Sequence, residues 1–196
     1  AAGCGAGAIG LVFWDRSPRA VTLEAAAAIA AAVPRQVLRV GVFVNALPHV
    51  VRHYVARVPL DVVQLHGDEP YEWVDAFGRP VLKAVDPADP GQAPWLASAP
   101  EHATLLVDAT CRERRGGTGE RADWTAAAEI ATLRPLVLAG GLHAGNVAEA
   151  VRAVRPYAVD VSSGVETAPG VKDEARLRAF FDALAGERAG GPGKRP

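Results

Sequence analysis

Residues Leu136–Gly164 read LVLAGGLHAGNVAEAVRAVRPYAVDVSSG. A short apolar run, Leu136–Leu138, breaks at Ala139-Gly140-Gly141, and a second run, Val159–Val161, breaks at Ser162-Ser163-Gly164. The stretch between them is long enough for a helix. This is one strand–helix–strand unit, with small and polar residues at the end of each strand. Working outward, the same kind of run recurs at Ile9–Phe13, Val40–Val44, Val62–Leu65, Val81–Val85 and Leu105–Val107. Most of these runs are near-continuous Val, Leu and Ile rather than alternating, as expected of parallel strands covered on both faces. Their starts lie roughly 20 to 30 residues apart, the length of a βα unit.

The segments between the runs carry helical signals. Leu47, Val50, Val51, Tyr54, Val55 and Val58 follow the i, i+3, i+4, i+7 pattern, and Leu177, Phe180, Phe181 and Leu184 repeat it. Thr22 is placed to cap an Ala-rich helix that Pro34 ends, Asp173 to cap the last helix, and Gly78 to stop a short helix over Tyr71–Phe77. Asp86–Pro100 holds four prolines and gives the weakest helical signal. Seven strands fit an open doubly wound sheet or a (β/α)8 barrel lacking one unit. No Rossmann glycine fingerprint follows the first strand, which weighs against the open sheet.

The 196 residues suit one domain, 1–185, followed by a Gly/Pro/charge-rich segment at 186–196 that reads as a disordered tail or a linker. Apolar residues make up 49% and charged residues 22%, an ordinary globular balance. Lys and Arg number 21 against 22 Asp and Glu, so no basic excess points to nucleic acid. No apolar run approaches the roughly 18 residues of a membrane span. Cys4 and Cys111 lack metal-ligand spacing, and a reduced, cytoplasmic setting is the plainer reading.

In a barrel, chemistry gathers where strands end. Gly140-Gly141 allows close backbone approach to a ligand, and Ser162-Ser163-Gly164 adds hydroxyls. Alone, either group makes only a tight turn; on the last two strands together they point to a phosphate site, with Asp160 beside it. Gly116-Gly117-Thr118-Gly119 reads as a lid loop or a plain surface loop. Asp108 ends the fifth run, where a carboxyl serves either as general acid or as a turn cap. Arg19 suits a substrate carboxylate or a surface salt bridge. His66 reads as a satisfied packing histidine ahead of a catalyst. Lys83, inside an apolar strand, has to reach the mouth or pair with a carboxylate.

Several stretches together carry a family resemblance. IGLVFWDRSPRAV, VGVFVN, DVVQLHGDE, VLKAV, LLVDA, GGTGERADW, LVLAGGLHAGNVAEAV and RPYAVDVSSGVETAPGVKD resemble phosphoribosylanthranilate isomerase, in order, from about Ala1 to Leu184. The resemblance implies a TIM barrel and an Amadori rearrangement in tryptophan biosynthesis. N-(5-phosphoribosyl)anthranilate would become the 1-deoxyribulose 5-phosphate derivative, with no metal or organic cofactor. Asp108 matches the family's general acid and Arg19 the arginine that engages the anthranilate moiety. His66, in QLHGDE, joins Arg19 on the substrate side. Gly140, Gly141, Ser162, Ser163 and Gly164 match the phosphate end. The expected partner is the small phosphoribosyl substrate, without nucleic acid or membrane, and with fusion to or association with other tryptophan-pathway enzymes left open. The alternative function is an inactive phosphosugar-binding barrel.

The family's general base is a cysteine in a KICG-type motif on its first strand, and no such motif occurs here. The seven runs are therefore expected to be strands two to eight, the natural protein to be longer at its N-terminus, and this chain by itself to be unstable and poorly active. Cys4 precedes its strand and sits at the wrong end, about 17 Å from the mouth for a five-residue strand. Cys111, in the loop after Asp108, is on the correct side but meets no geometric test for a base.

Overall fold

The structure is a computed structural model describing residues 1–108 and 123–190. Strands and helices alternate along the chain: β1 (Ala8–Val12), α1 (Leu23–Ala32), β2 (Leu38–Phe43), α2 (Pro48–Val55), β3 (Val62–Leu65), β4 (Val81–Val85), α3 (Ala93–Ser98), β5 (Thr104–Val107), α4 (Trp124–Leu133), β6 (Leu136–Leu138), α5 (Val147–Val154) and β7 (Ala158–Val159). A small antiparallel hairpin follows, β8 (Glu166–Ala168) and β9 (Val171–Lys172), then α6 (Glu174–Gly190).

The seven strands form one parallel sheet in the order β1-β2-β3-β4-β5-β6-β7. Each βα unit steps to the next neighbour and the order never reverses, so the sheet is singly wound. That decides against the doubly wound alternative, which requires a switch point. The architecture is α/β and TIM-like. Val81, Val85, Leu105, Val107, Leu136 and Leu138 pack in the layer shared with the helices. Residues one position away, Ala84, Leu106 and Ala139, form a second cluster with Leu82 and Val137 on the opposite, concave face.

Burial on that concave face is uneven. Ala84, Leu106 and Ala139 are 4%, 1% and 3% exposed, whereas Ala8 and Gly10 of β1 and Ala158 of β7 are exposed. Strands β1 and β7 are the two edges of the sheet and do not pair with each other. A seam therefore runs between them.

Local signals place most boundaries. The Thr22 hydroxyl accepts from Ala25 N–H, and Asp173 accepts from Arg176 N–H at 2.8 Å, so both predicted caps hold. Asp123 caps α4 through the N–H groups of Thr125 and Ala126. Three expectations need correction. The Tyr71–Phe77 helix is a 3-10 segment over Tyr71–Asp75, though Gly78 follows with φ +61° as a stop requires. The periodic stretch reaching Val58 is helical only to Val55. The last strand is Ala158–Val159 and not Val159–Val161, because at the sheet edge only β6 offers partners; Asp160 N–H still donates to the Leu138 carbonyl at 2.8 Å. Helix α6 runs to Gly190, so the first residues of the 186–196 segment are helical.

Candidate active site

The C-terminal ends of β5, β6 and β7 meet in one polar cleft. Its walls are Asp108, Ala139, Gly140, Gly141, Leu142, Asp160, Ser162 and Ser163. Backbone chemistry builds this cleft. Gly140 and Gly141 have φ of 84° and 61°, a pair of left-handed turns that side chains resist. Asn146 holds the turn by donating to the Gly141 carbonyl at 2.9 Å and accepting from His143 N–H at 2.8 Å. Gly164 is needed for a different reason: a Cβ there would collide with the Leu142 carbonyl. Only glycine lets the loop after β7 lie against the loop after β6.

Asp108 and His66 face each other, with Nε2 of His66 3.4 Å from Oδ2 of Asp108. Gln64 fixes the ring. Its amide lies 2.9 Å from Nδ1, and donation there places the ring proton on Nε2, which makes no hydrogen bond among the described residues. Both residues are buried. Asp160 stands on the rim, exposed to solvent. The protein around the mouth, and next the charge of Asp108, raise the Asp160 carboxyl, while His66, Lys172 and the Val161 N–H pull it back. The balance holds the Asp160 carboxyl above its ordinary value.

The loop that presents His66 is locked by a buried ion pair. Lys83 donates to Glu69 at 2.9 Å and also to the Gly67 carbonyl, and both side chains are fully buried. Glu69 further accepts from Asn45 N–H at 2.7 Å and Gly67 N–H at 2.8 Å, and its carbonyl receives Trp95 Nε1. Of the two outcomes open to Lys83, pairing with a carboxylate is the one found. Glu69 thereby ties together the ends of β2, β3 and β4.

Arg19, in the loop after β1, makes a bidentate pair with Glu166, Nε and Nη2 lying 2.7–3.1 Å from its carboxylate oxygens. Lys172 shares Glu166 at 2.9 Å and donates to the Ser162 carbonyl at 3.1 Å. Burial works to raise the Glu166 carboxyl, but hydrogen bonds and charges from Arg19 and Lys172 outweigh it and hold it below its ordinary value. Sequence reading assigned nothing to Glu166, Lys172 or the hairpin that carries them. The signal was present: Glu166 and Lys172 flank a Pro169-Gly170 turn at a spacing that makes them cross-strand partners.

Of the predicted set, the structure brings together Asp108, His66, Gly140, Gly141, Asp160, Ser162, Ser163 and Gly164, and it links Arg19 to this group through Glu166 and Lys172. Gly116, Gly117, Thr118, Gly119 and Cys111 lie outside the described residues. Cys4 sits at the opposite end of β1 and packs against the hydrophobic core. Among the described residues, no group of three His, Cys, Asp or Glu side chains is arranged to hold a metal.

Residues 2–183 match the family described as N-(5'phosphoribosyl)anthranilate (PRA) isomerase. The N-(5'-phosphoribosyl)anthranilate isomerase of Geobacter sulfurreducens is 48% identical over 182 residues, covering 93% of this chain and 89% of that protein. Among solved structures, phosphoribosyl anthranilate isomerase from Thermus thermophilus superposes with a TM-score of 0.83 at 41% identity, over 94% of this chain and 90% of that one. A phosphoribosyl anthranilate isomerase solved in complex with reduced 1-(o-carboxyphenylamino)-1-deoxyribulose 5-phosphate superposes at 0.81 with 35% identity, over 94% and 90%. The chain belongs to the N-(5'-phosphoribosyl)anthranilate isomerase family, the isomerases of tryptophan biosynthesis.

Proposed function

We propose that the cleft between β5, β6 and β7 binds N-(5-phosphoribosyl)anthranilate with its phosphate on the Gly140-Gly141 and Ser162-Ser163-Gly164 loops and its reacting carbons beside Asp108. The observation that carries this reading is the convergence of those two loops and Asp108 on one cleft. Backbone N–H groups and hydroxyls can take a phosphate without adding a cation beside the acid. The phosphate is then a remote handle whose binding energy orients the reacting carbons.

Asp108 is the general acid. It protonates the furanose ring oxygen, the C1–O bond breaks, and the anthranilate nitrogen lone pair forms the Schiff base at C1. A base then takes the C2 proton, giving an enolamine that tautomerises to the ketone. His66, whose Nε2 stands 3.4 Å from Oδ2 of Asp108, lies beside the carboxyl on the substrate side of the cleft. Arg19 engages the anthranilate carboxylate. The Gly116-Gly117-Thr118-Gly119 loop is the candidate lid over the bound substrate.

The base is the finer question. No cysteine among the described residues reaches the cleft, since Cys4 is at the far end of β1. We infer that β1 to β7 correspond to strands two to eight of an eight-stranded barrel within a 1–185 domain. The missing strand would sit in the seam between β1 and β7 and carry the cysteine base. The exposed concave-face residues Ala8, Gly10 and Ala158 along that seam support this reading.

Two measurements test the assignment. Titration with reduced 1-(o-carboxyphenylamino)-1-deoxyribulose 5-phosphate, followed by calorimetry, should show binding that competes with inorganic phosphate. Ser162→Ala combined with Gly141→Val should remove that binding. Binding unaffected by these changes would place the phosphate elsewhere.

A further inference from the structure

The Arg19–Glu166–Lys172 cluster has a geometry that a surface salt bridge does not need. Arg19 is 17% exposed and Glu166 only 3%. Glu166 takes the Nε/Nη2 edge of the guanidinium with both oxygens. Among the described residues, Nη1 takes no partner. A guanidinium has a second edge, Nη1/Nη2, that matches a second carboxylate equally well. Lys172 offsets the charge of Glu166 from its other side, so two cations share one anion and the cluster keeps a net positive charge.

The hairpin is built around this contact. Glu166 and Lys172 are cross-strand partners on β8 and β9. The turn at Gly170 has φ +83°, and a Cβ there would stand 3.4 Å from the Pro18 carbonyl and 3.9 Å from Arg19 Cα. The turn therefore lies on the backbone of the Arg19 loop while its strands hold the Arg19 side chain. Arg176 donates to the Glu166 carbonyl and anchors the hairpin to α6. Lys172 reaches the Ser162 carbonyl at 3.1 Å, on the wall of the cleft. A continuous chain of polar contacts thus runs from Ser162 through Lys172 and Glu166 to Arg19.

We propose that Glu166 is a positioning residue: it fixes one edge of Arg19 so that the other edge meets a ligand carboxylate, and Lys172 ties that edge in register with the phosphate loop at Ser162. This rests on the reading above that Arg19 faces the substrate carboxylate. It adds that the β8–β9 hairpin sets the spacing between the two anion-recognising ends of the site. A long flexible arginine without this anchor would have to be ordered by the ligand itself, at an entropic cost.

The test compares two ligands on the full chain. One is reduced 1-(o-carboxyphenylamino)-1-deoxyribulose 5-phosphate; the other is its phenylamino analogue without the carboxylate. Glu166→Gln should weaken the first by about tenfold and the second by less than about twofold, because only the carboxylate end loses its anchor. The analogue also reports that the variant is folded and its phosphate end intact. Should Glu166→Gln fail to fold, Glu166→Asp keeps the buried charge beside Lys172 but withdraws the bidentate reach, and a smaller selective loss is expected. Equal weakening of both ligands, or none, overturns the positioning role while leaving the site assignment standing. If neither ligand binds the unaltered chain, the site assignment itself fails and the positioning role falls with it.

Discussion

Asp160, on the rim of the cleft, and Lys83, buried beneath the His66 loop, show how single residues carry opposite energetic signs. The Asp160 carboxyl is raised by the surrounding protein and by Asp108. A carboxyl raised on folding contributes stability below its unfolded pKa of about 3.9 and loses it as pH rises through the folded value. At neutral pH its charge is therefore a net cost, held in place by His66 and Lys172. Asp160→Asn should raise the melting temperature at pH 7, and the gain over the unaltered chain should vanish at or below about pH 4. A variant less stable at pH 7 would show that Asp160 is a structural carboxylate. Lys83 is the reverse case, since its charge neutralises a carboxylate that has no exposure at all. Lys83→Met leaves Glu69 buried against backbone N–H groups alone and should cost about 3–5 kcal/mol in denaturant unfolding. A loss under about 1 kcal/mol would mean that the Glu69 network does not hold the loop.

At the scale of elements, the site depends on loops that approach closely. Gly164 permits the loop after β7 to touch the carbonyl of Leu142. Gly164→Ala should separate the two loops and weaken phosphate-ligand binding by at least about tenfold, with little change in far-ultraviolet circular dichroism. Retained affinity would show that the loops need not touch. Strands and caps were legible in the residues, because continuous Val/Leu/Ile runs and Thr22 or Asp173 before an apolar stretch have local causes. The limits of β7 were not, since they depend on what lies beside it in the sheet. Nor was the Arg19–Glu166 contact: the hairpin that holds Glu166 has a local turn signal, but Arg19 is 147 residues away in sequence and nothing local foretells that pair. For Lys83, local reasoning narrowed the outcome to two possibilities, and the fold of the Gly67–Glu69 loop chose between them.

For the whole molecule, strand order carries the fold, and the proposed place of the base is the seam between the sheet edges. A sheet that advances from β1 to β7 without reversal has two edges, and the buried concave-face residues lie far from them, on β4, β5 and β6. Unpaired edges beside an open core are costly and invite pairing. Supplying an N-terminal strand with the Lys-Ile-Cys-Gly pattern should raise the thermal midpoint, whereas the same strand with Ser for Cys should raise it equally without restoring catalysis. The catalytic arm of that comparison bears most directly on the site: the fluorescence-monitored consumption of phosphoribosylanthranilate by the chain alone, by the strand-extended chain, and by the extended chain carrying Asp108→Asn. The expected result is turnover in the extended chain that exceeds both others by at least about a thousandfold, the scale of losing one acid or base. Full turnover by the 196-residue chain alone, or by the Asp108→Asn variant, would contradict the assignment of acid and base.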